Sequence, residues 1–240
     1  MLKSIEQNAL IIIPAFNEAK SITSVLAEIK ETNAGVDILV IDDGSSDSTA
    51  IEVRKFGAML LRHPFNLGYG SAVQTGYIYA VEAGYDYLVQ IDADGQHNPK
   101  DIPNLLKPIL DGSSDVTMGS RFLRKDSYKP NFSRIVGIHI LRYMVLLLCG
   151  VRVTDPTTGF QAMNAKVLKL FCGPFFPKDY PDADVVILLV MAKFRFREVP
   201  VTMFQSQEKK SMHSGVIQPI YYMFKMILSM LLTRFRRIDY

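Results

Sequence analysis

At 240 residues, with 48% apolar and 21% charged residues, the chain is long enough for one domain with a substantial core and too apolar to be disordered. The formal net charge of +3 excludes a general nucleic-acid-binding field. Cys149 and Cys172 stand isolated, without disulfide or metal-ligand spacing, and read as reduced thiols of a cytosolic protein. Lys3, Glu6 and Gln7 interrupt the opening residues, so no signal peptide is expected. Nor does any stretch reach the roughly 20 apolar residues that span a bilayer.

The first half alternates strand and helix. Ala9–Ile13 is a continuous apolar run, as buried parallel strands are, followed by a helix from about Glu18 to Lys30. Val36–Ile41 is the next strand and runs into Asp42-Asp43-Gly44, after which Ser45 or Ser46 is expected to cap a helix reaching Phe56. Ala58–Leu61, Tyr85–Ile91 and Asp115–Met118 read as strands, with helices over Gly70–Ala83 and Pro99–Leu110 between them. The order implies an α/β fold with an open, mostly parallel sheet flanked by helices. Past Arg121 the rhythm breaks. Helix is expected over Asn131–Cys149 and Ala183–Lys193, and strand over Thr158–Met163 and Phe194–Thr202. Lys209–Gly215 is loop-like, and Val216–Arg237 closes the chain as an amphipathic helix. The expected division is a domain over residues 1–215 and a C-terminal helix over 216–240. That helix either packs on the domain or on a second copy, or lies on a membrane surface.

In an open α/β sheet, ligands bind beyond the carboxyl ends of the strands. Three such ends carry polar clusters: Pro14-Ala15-Phe16-Asn17-Glu18, Asp42-Asp43-Gly44-Ser45 and Asp92-Ala93-Asp94-Gly95-Gln96-His97. Glu18, Asp42, Asp43, Asp92 and Asp94 would repel one another on one rim unless cations or donors compensate them. Asp92 and Asp94, two apart at a strand end, can face one side, and hard carboxylate oxygens suit Mg²⁺ or Mn²⁺. The alternative is an acidic turn with no ligand. Charge is also uneven. Between Arg121 and Arg152 the bases Arg121, Arg124, Lys125, Lys129, Arg134, Arg142 and Arg152 face one acid, Asp126. The tail repeats the bias with Lys225, Arg234, Arg236 and Arg237 against Asp239. Basic zones beside apolar stretches suit an anionic membrane surface or a phosphorylated lipid.

These motifs together resemble family 2 inverting glycosyltransferases of the GT-A fold. The resemblance rests on Pro14-Ala15-x-Asn17-Glu18, Asp42-Asp43-Gly44-Ser45-x-Asp47, Asn66-x-Gly68 and Asp92-Ala93-Asp94-Gly95-Gln96-His97-x-Pro99. Gly119-Ser120-Arg121, Asp155-x-x-x-Gly159-Phe160 and Glu198-Val199-Pro200-Val201 are similar to the branch of dolichyl- and polyprenyl-phosphate sugar synthases. The resemblance implies a nucleotide-sugar donor, UDP-linked before GDP-mannose, and a polyprenyl phosphate acceptor, for cell-surface glycan assembly. By it, Pro14, Ala15, Glu18 and Asp43 line the base and ribose pocket, with Asp42 in support. Asp92 lies near the sugar or ribose, and Asp94 and Gln96 ligate the metal. Arg121, Arg134 and Lys210 serve the acceptor phosphate, and Asp184 occupies the acidic position fourteen residues before Glu198. The implied location is peripheral, on the cytoplasmic face of the cell membrane, with a small membrane protein or a second copy as partner.

The acceptor decides what Asp184 is for. A sugar hydroxyl must lose a proton as it attacks, so Asp184, or its competitor Asp182, would be a general base. A lipid phosphate is already anionic and needs docking cations instead. Asp184 could equally cap the helix that follows, and Arg121 could be a solvated surface residue. One departure stands out: where relatives carry an arginine and then a glycine after the Val-Pro-Val strand, this chain has Ser206 and Lys209. Lys209 or Lys210 would restore the charge without the bidentate geometry. His213 either completes the metal or diphosphate site or is a surface histidine. A sugar-nucleotide pyrophosphorylase is disfavoured because Pro14–Glu18 lacks a glycine-rich loop and a lysine, and a Rossmann dehydrogenase because Gly68-x-Gly70 lacks the third glycine of a dinucleotide fingerprint and the first strand leads to Pro14. A non-catalytic binding protein is disfavoured by the pair Asp92 and Asp94.

Overall fold

The apolar run near the start forms the central strand β1 (Ala9–Ala15), buried along its whole length. Leu10 and Ile12 enter one core and Ile11 and Ile13 the other, because successive side chains leave a strand on opposite faces. A strand covered on both faces is the kind that needs a continuous apolar run. The computed structural model describes residues 8–124, 132–205 and 217–236. In it β1 pairs in parallel with β2 (Asp37–Asp42) and β4 (Tyr87–Gln90). With β3 (Met59–Arg62), β5 (Val116–Ser120), β6 (Gln161–Asn164) and β7 (Phe196–Pro200), the sheet order is β3-β2-β1-β4-β6-β5-β7. β6 runs antiparallel to both its neighbours, β4 and β5, and the other pairings are parallel.

One face of the sheet is covered by α1 (Ile22–Thr32), α2 (Thr49–Phe56) and α4 (Ile102–Leu110), the last entered through a 3-10 turn at Pro99–Asp101. The other carries α3 (Tyr69–Glu82), α5 (Phe132–Cys149), α6 (Ala165–Phe171), α7 (Ala183–Met191) and α8 (Ile217–Phe235). Residues 183–189 of α7 are all buried, so this helix is apolar all round and lies between other layers, packed against α5 and α8. Met226 and Met230 of α8 join the same core, so the C-terminal helix is tied into the domain through one face.

Several boundaries differ from the sequence expectation. The helix expected after Ser45 or Ser46 begins at Thr49, because those serines bond across to the loop after β1 instead of capping. The first helix starts at Ile22 rather than Glu18, and the strand expected from Thr158 starts at Gln161. α6 was not expected at all. Asn164 caps it, its side chain accepting from the amides of Lys166 and Val167 at 3.1 Å each.

The chain winds outward from β1 through β2 to β3, then returns to β4 on the other side of β1. That reversal leaves a crevice beyond the carboxyl ends of β1 and β4, the place where open α/β sheets take ligands. Gly44, just past β2, closes one wall of it. Its φ is +72°, and a Cβ there would lie 2.5 Å from the backbone carbon of Phe65. Gly57 has φ +84° with nothing within 4 Å of a Cβ. Gly57→Ala should therefore cost only the left-handed backbone penalty, about 1 kcal/mol. Gly44→Ala should cost roughly 3 kcal/mol or more, at about 2–4 °C of thermal midpoint per kcal/mol. Equal midpoints for the two variants in thermal denaturation would contradict the packing described here.

Candidate active site

The loops after β1 and β2 are laced together. Asn17 adopts φ +59°, held by its amide on the Ser45 hydroxyl at 2.9 Å and by its side-chain oxygen on the Ser46 amide at 2.9 Å. The amide of Glu18 donates to Thr49 Oγ1, and its carboxylate accepts from Ser21 Oγ at 2.6 Å. Pro14 and Ala15 end β1 directly below, Ala15 being buried. Asp42 is fully buried, paired with Arg62 Nε at 2.9 Å and accepting the Ser45 amide. Asp43 is also buried. One oxygen meets His63 Nδ1 at 2.7 Å and the Leu67 amide, the other the Gly68 amide. Asp42 and Asp43 thus build the wall of the crevice, and their oxygens are committed to it.

The segment after β4 forms the floor. Asp92 is bracketed: Oδ1 accepts from Tyr69 Oη at 2.7 Å and Oδ2 meets His97 Nε2 at 3.0 Å. Behind Tyr69 the bonds continue inward, Gln90 Nε2 to Tyr69 Oη at 2.9 Å and Tyr77 Oη to Gln90 Oε1 at 2.5 Å. His97 is itself buried, its ring 5.0 Å from that of Phe160. Asp94 accepts from the amide and the side chain of Gln96, at 2.9 and 2.6 Å. Burial and the neighbouring Asp92 push the Asp94 carboxyl up, while for Asp92 burial is outweighed by His97, Tyr69 and Arg121, which hold it down. Of the five rim carboxylates, Asp94 faces another acid with no cationic side chain bonded to it among the described residues.

That is the point on the rim where added positive charge would relieve most repulsion. Among the described residues no three His, Cys, Asp or Glu side chains form a ready-made cage. The Asp94 carboxylate and the Gln96 amide oxygen are hard donors, suited to a cation that completes its shell with water and ligand phosphate, as Mg²⁺ does. The donor set fits such an ion.

Facing Asp92 is the end of β5. Arg121 is 3% exposed, which rules out the solvated-surface reading. Its Nε meets Asp155 Oδ2 at 2.5 Å and an η nitrogen donates to the Thr157 carbonyl at 3.2 Å. Glu198 in β7 holds that loop by accepting the amides of Thr154 and Asp155 at 2.7–2.8 Å. Arg142 of α5 stacks over the Phe122 ring at 4.5 Å and donates to the Thr154 carbonyl. Parts of the basic run therefore turn inward to build this wall. Past β7 the chain closes over the floor, with the Phe204 amide on the Gln96 carbonyl at 2.7 Å and a bridge between Met203 and His97. Lys210, with Ser206, Lys209 and His213, lies outside the described residues, as does the side chain of Arg134.

The two acids at the start of α7 part company. Asp184, expected at the reaction centre, is buried and turned toward α8. Its Oδ2 accepts from Ser229 Oγ at 2.5 Å and its Oδ1 from the amides of Asp182 and Val185. It thus steadies the start of α7 and lines a cavity of about 280 Å³ between α8 and the segment 174–180. Asp182 is the one that shares the field of Asp92, Arg121 and Asp155. Sequence reasoning gave no role to Tyr69, His97, Gly159 or Asp155. For the last three the motif spacing was the available signal. For Tyr69 there was none, since an aromatic residue at a helix start reads as core.

A family model described as Glycosyl transferase family 2 matches residues 10–171. The UDP-N-acetylglucosamine–dolichyl-phosphate N-acetylglucosaminyltransferase of Methanococcus voltae is 29% identical over 210 residues, covering 80% of this chain and 83% of that protein. The undecaprenyl-phosphate mannosyltransferase of Micrococcus luteus is 30% identical over 217 residues, covering 87% of this chain and 88% of that protein. Among solved structures, glucosyl-3-phosphoglycerate synthase of Mycobacterium tuberculosis, in complex with Mn²⁺, UDP and phosphoglyceric acid, superposes with a TM-score of 0.75 at 21% identity. It covers 100% of this chain and 84% of that one, and the likeness shows the GT-A fold.

A Cβ on Gly159 would lie 2.7 Å from both Asp92 Oδ2 and Tyr69 Oη, so only glycine lets the floor approach this loop. Gly159→Ala should displace Asp92 and lower turnover by roughly a hundredfold, as small misplacements in a reaction centre do. Circular dichroism should show the fold retained, and near-normal turnover would contradict the assignment of the floor. A second expectation concerns pH. Burial pushes Asp182 up to about 6 and Asp184 up to about 7, against hydrogen bonds that favour their charged forms. Since these folded values exceed the unfolded ones, the folded chain binds more protons in between, and stability falls as pH rises toward about 7. The thermal midpoint of the native sequence should drop as pH rises from about 4 through about 7, by less in Asp184→Asn, which lacks the more strongly raised carboxyl.

Proposed function

This chain belongs to glycosyl transferase family 2, and from that premise we propose that it moves a sugar from a nucleoside-diphosphate sugar to a polyprenyl phosphate, with inversion at the anomeric carbon. UDP-sugars are the favoured donors and GDP-mannose the next. The observation that carries the acceptor assignment is the buried Arg121, held by Asp155 opposite the Asp92 carboxylate. A buried guanidinium on the acceptor side docks an anion that needs no deprotonation before it attacks. The names of the Methanococcus voltae and Micrococcus luteus relatives support the same acceptor class.

In this reading the loops after β1 and β2 receive the nucleoside, with Pro14, Ala15 and Glu18 on the pocket side and Asp42 and Asp43 fixing its walls. Asp92, kept ionised and aimed by Tyr69 and His97, orients the sugar. A Mg²⁺ or Mn²⁺ ion at Asp94 and Gln96 would neutralise the departing diphosphate. Arg121, with Arg134 and Lys210, draws the lipid phosphate to the opposite face of the anomeric carbon. The exposed apolar residues of α8 (Tyr221, Phe224, Leu228, Leu232, Phe235) and of α5 (Val136, Ile140, Tyr143, Leu147) support peripheral docking on the cytoplasmic side of a membrane. The same two faces would receive a small membrane protein or a second copy. No described helix is long and apolar enough to cross a membrane.

One observation favours a second reading, transfer to a sugar hydroxyl. Burial pushes Asp182 up to about 6, where a carboxylate serves well as a general base. Asp182→Asn separates the two. A hydroxyl-accepting enzyme should lose at least about a thousandfold, within the range general-base catalysis contributes, and a phosphate-accepting one about tenfold or less. The primary assay incubates the protein with Mn²⁺, a panel of radiolabelled nucleotide sugars and short-chain polyprenyl phosphate. Label is expected in the organic phase for one donor, and label confined to water with every donor would defeat the lipid acceptor.

A further inference from the structure

We infer that Tyr222, on the membrane-facing helix α8, is a positioning residue for the reaction centre, because its hydroxyl fixes the carboxylate of Asp182. The inference rests on the reading of this crevice as the acceptor side of a glycosyltransferase, and it adds a residue beyond the strand ends and their loops.

Asp182 occupies the N-cap position of α7, where an aspartate ordinarily bonds amides of the first helical turn. It makes no such bond here. Asp184 takes over, accepting the amides of Asp182 and Val185, and this releases the Asp182 side chain from capping. The released carboxylate is held from α8, Tyr222 Oη donating to Asp182 Oδ2 at 2.5 Å. Tyr222 also packs edge-on against Tyr180, ring centroids 5.3 Å apart, and the Tyr180 carbonyl accepts the Asp182 amide at 2.9 Å. One tyrosine therefore grips the turn 180–182 by ring and by hydroxyl.

The groups facing Asp182 come from every neighbouring layer: Asp92 after β4, Arg121 after β5, Asp155 before β6, Tyr69 of α3, Asp184 of α7 and Tyr222 of α8. Arg121 is the one cation among them, and Asp155 already claims its Nε. A shift of the Asp182 carboxylate would change the field at Arg121, the residue assigned to the acceptor phosphate. The same α8 carries exposed Tyr221 and Phe224 on either side of Tyr222 in sequence, so the helix with the exposed apolar face also carries the hydroxyl that holds Asp182.

Ser229 provides the control. It sits two turns further along α8 and donates to Asp184, which lines the cavity away from the crevice. Tyr222→Phe and Ser229→Ala each delete one hydroxyl between α8 and an aspartate of α7. With the full chain, Mn²⁺ and the donor that labels polyprenyl phosphate, Tyr222→Phe should lower kcat about tenfold. Its affinity for UDP with Mn²⁺ by calorimetry should stay within twofold. Ser229→Ala should leave kcat within twofold even where its thermal midpoint falls as much. Carbon-detected NMR of labelled aspartate gives a readout free of turnover. The Asp182 titration midpoint should rise in Tyr222→Phe and stay put in Ser229→Ala. An unmoved Asp182 midpoint, or equal kcat losses in the two variants, overturns the inference. A moved midpoint with no lipid product from any donor supports the positioning and overturns the acceptor reading instead.

Discussion

The structure depends on the compensation of acidic side chains gathered where parallel strands end. Five carboxylates at one rim would repel one another by several kcal/mol if left bare in a partly buried crevice. The fold answers with a local donor for each: Arg62 for Asp42, His63 and two amides for Asp43, Ser21 for Glu18, and Tyr69 with His97 for Asp92. Only Gln96 answers Asp94, and it offers dipoles rather than charge. Asp94 is therefore the carboxylate at which added positive charge would relieve most repulsion, and under the proposed function a metal-bound diphosphate would bring that charge.

Much of the surrounding architecture serves to keep that arrangement fixed. The chain reversal between β3 and β4 opens the crevice, and Gly44 and Gly159 let backbone and side chains approach it more closely than any other residue would permit. The row Tyr77, Gln90, Tyr69, Asp92 passes a single hydrogen-bond direction from the core to the floor, so the carboxylate is aimed by groups that never meet a ligand. On the far wall, Glu198 holds two backbone amides so that Asp155 can hold Arg121. The carboxylates and the guanidinium of the crevice thus each rest on further groups that hold them in place.

The parallel half of the fold was legible in the sequence because its central strands β1, β2 and β4 are largely buried and apolar, and because each of these ends in a polar cluster. The carboxylate motifs also marked the crevice. Other features escaped. Helix starts were misplaced at Ser45 and Glu18 because the Ser45 hydroxyl and the Glu18 amide bond to the neighbouring loop, a tertiary choice invisible to local capping rules. α6 is short, and its cap residue Asn164 also ends a strand, so the two signals overlap. The choice between Asp184 and its competitor Asp182 stayed open because residues two apart at the start of a helix point in different directions, and packing against α8 turns Asp184 aside while Asp182 shares the field of Asp92 and Arg121. The basic run suited an anionic surface or a phosphorylated lipid by composition, and only the fold shows that Arg121 and Arg142 turn inward to hold the 154–157 loop.

Anomalous diffraction from a crystal grown with Mn²⁺ and UDP tests the central claim most directly. A manganese peak bonded to the Asp94 carboxylate and to the UDP diphosphate, with Asp92 still held by Tyr69 and His97, is the predicted result. A diphosphate bound in the crevice with manganese absent from Asp94, or seated at Asp42 or Asp43 instead, would contradict the account.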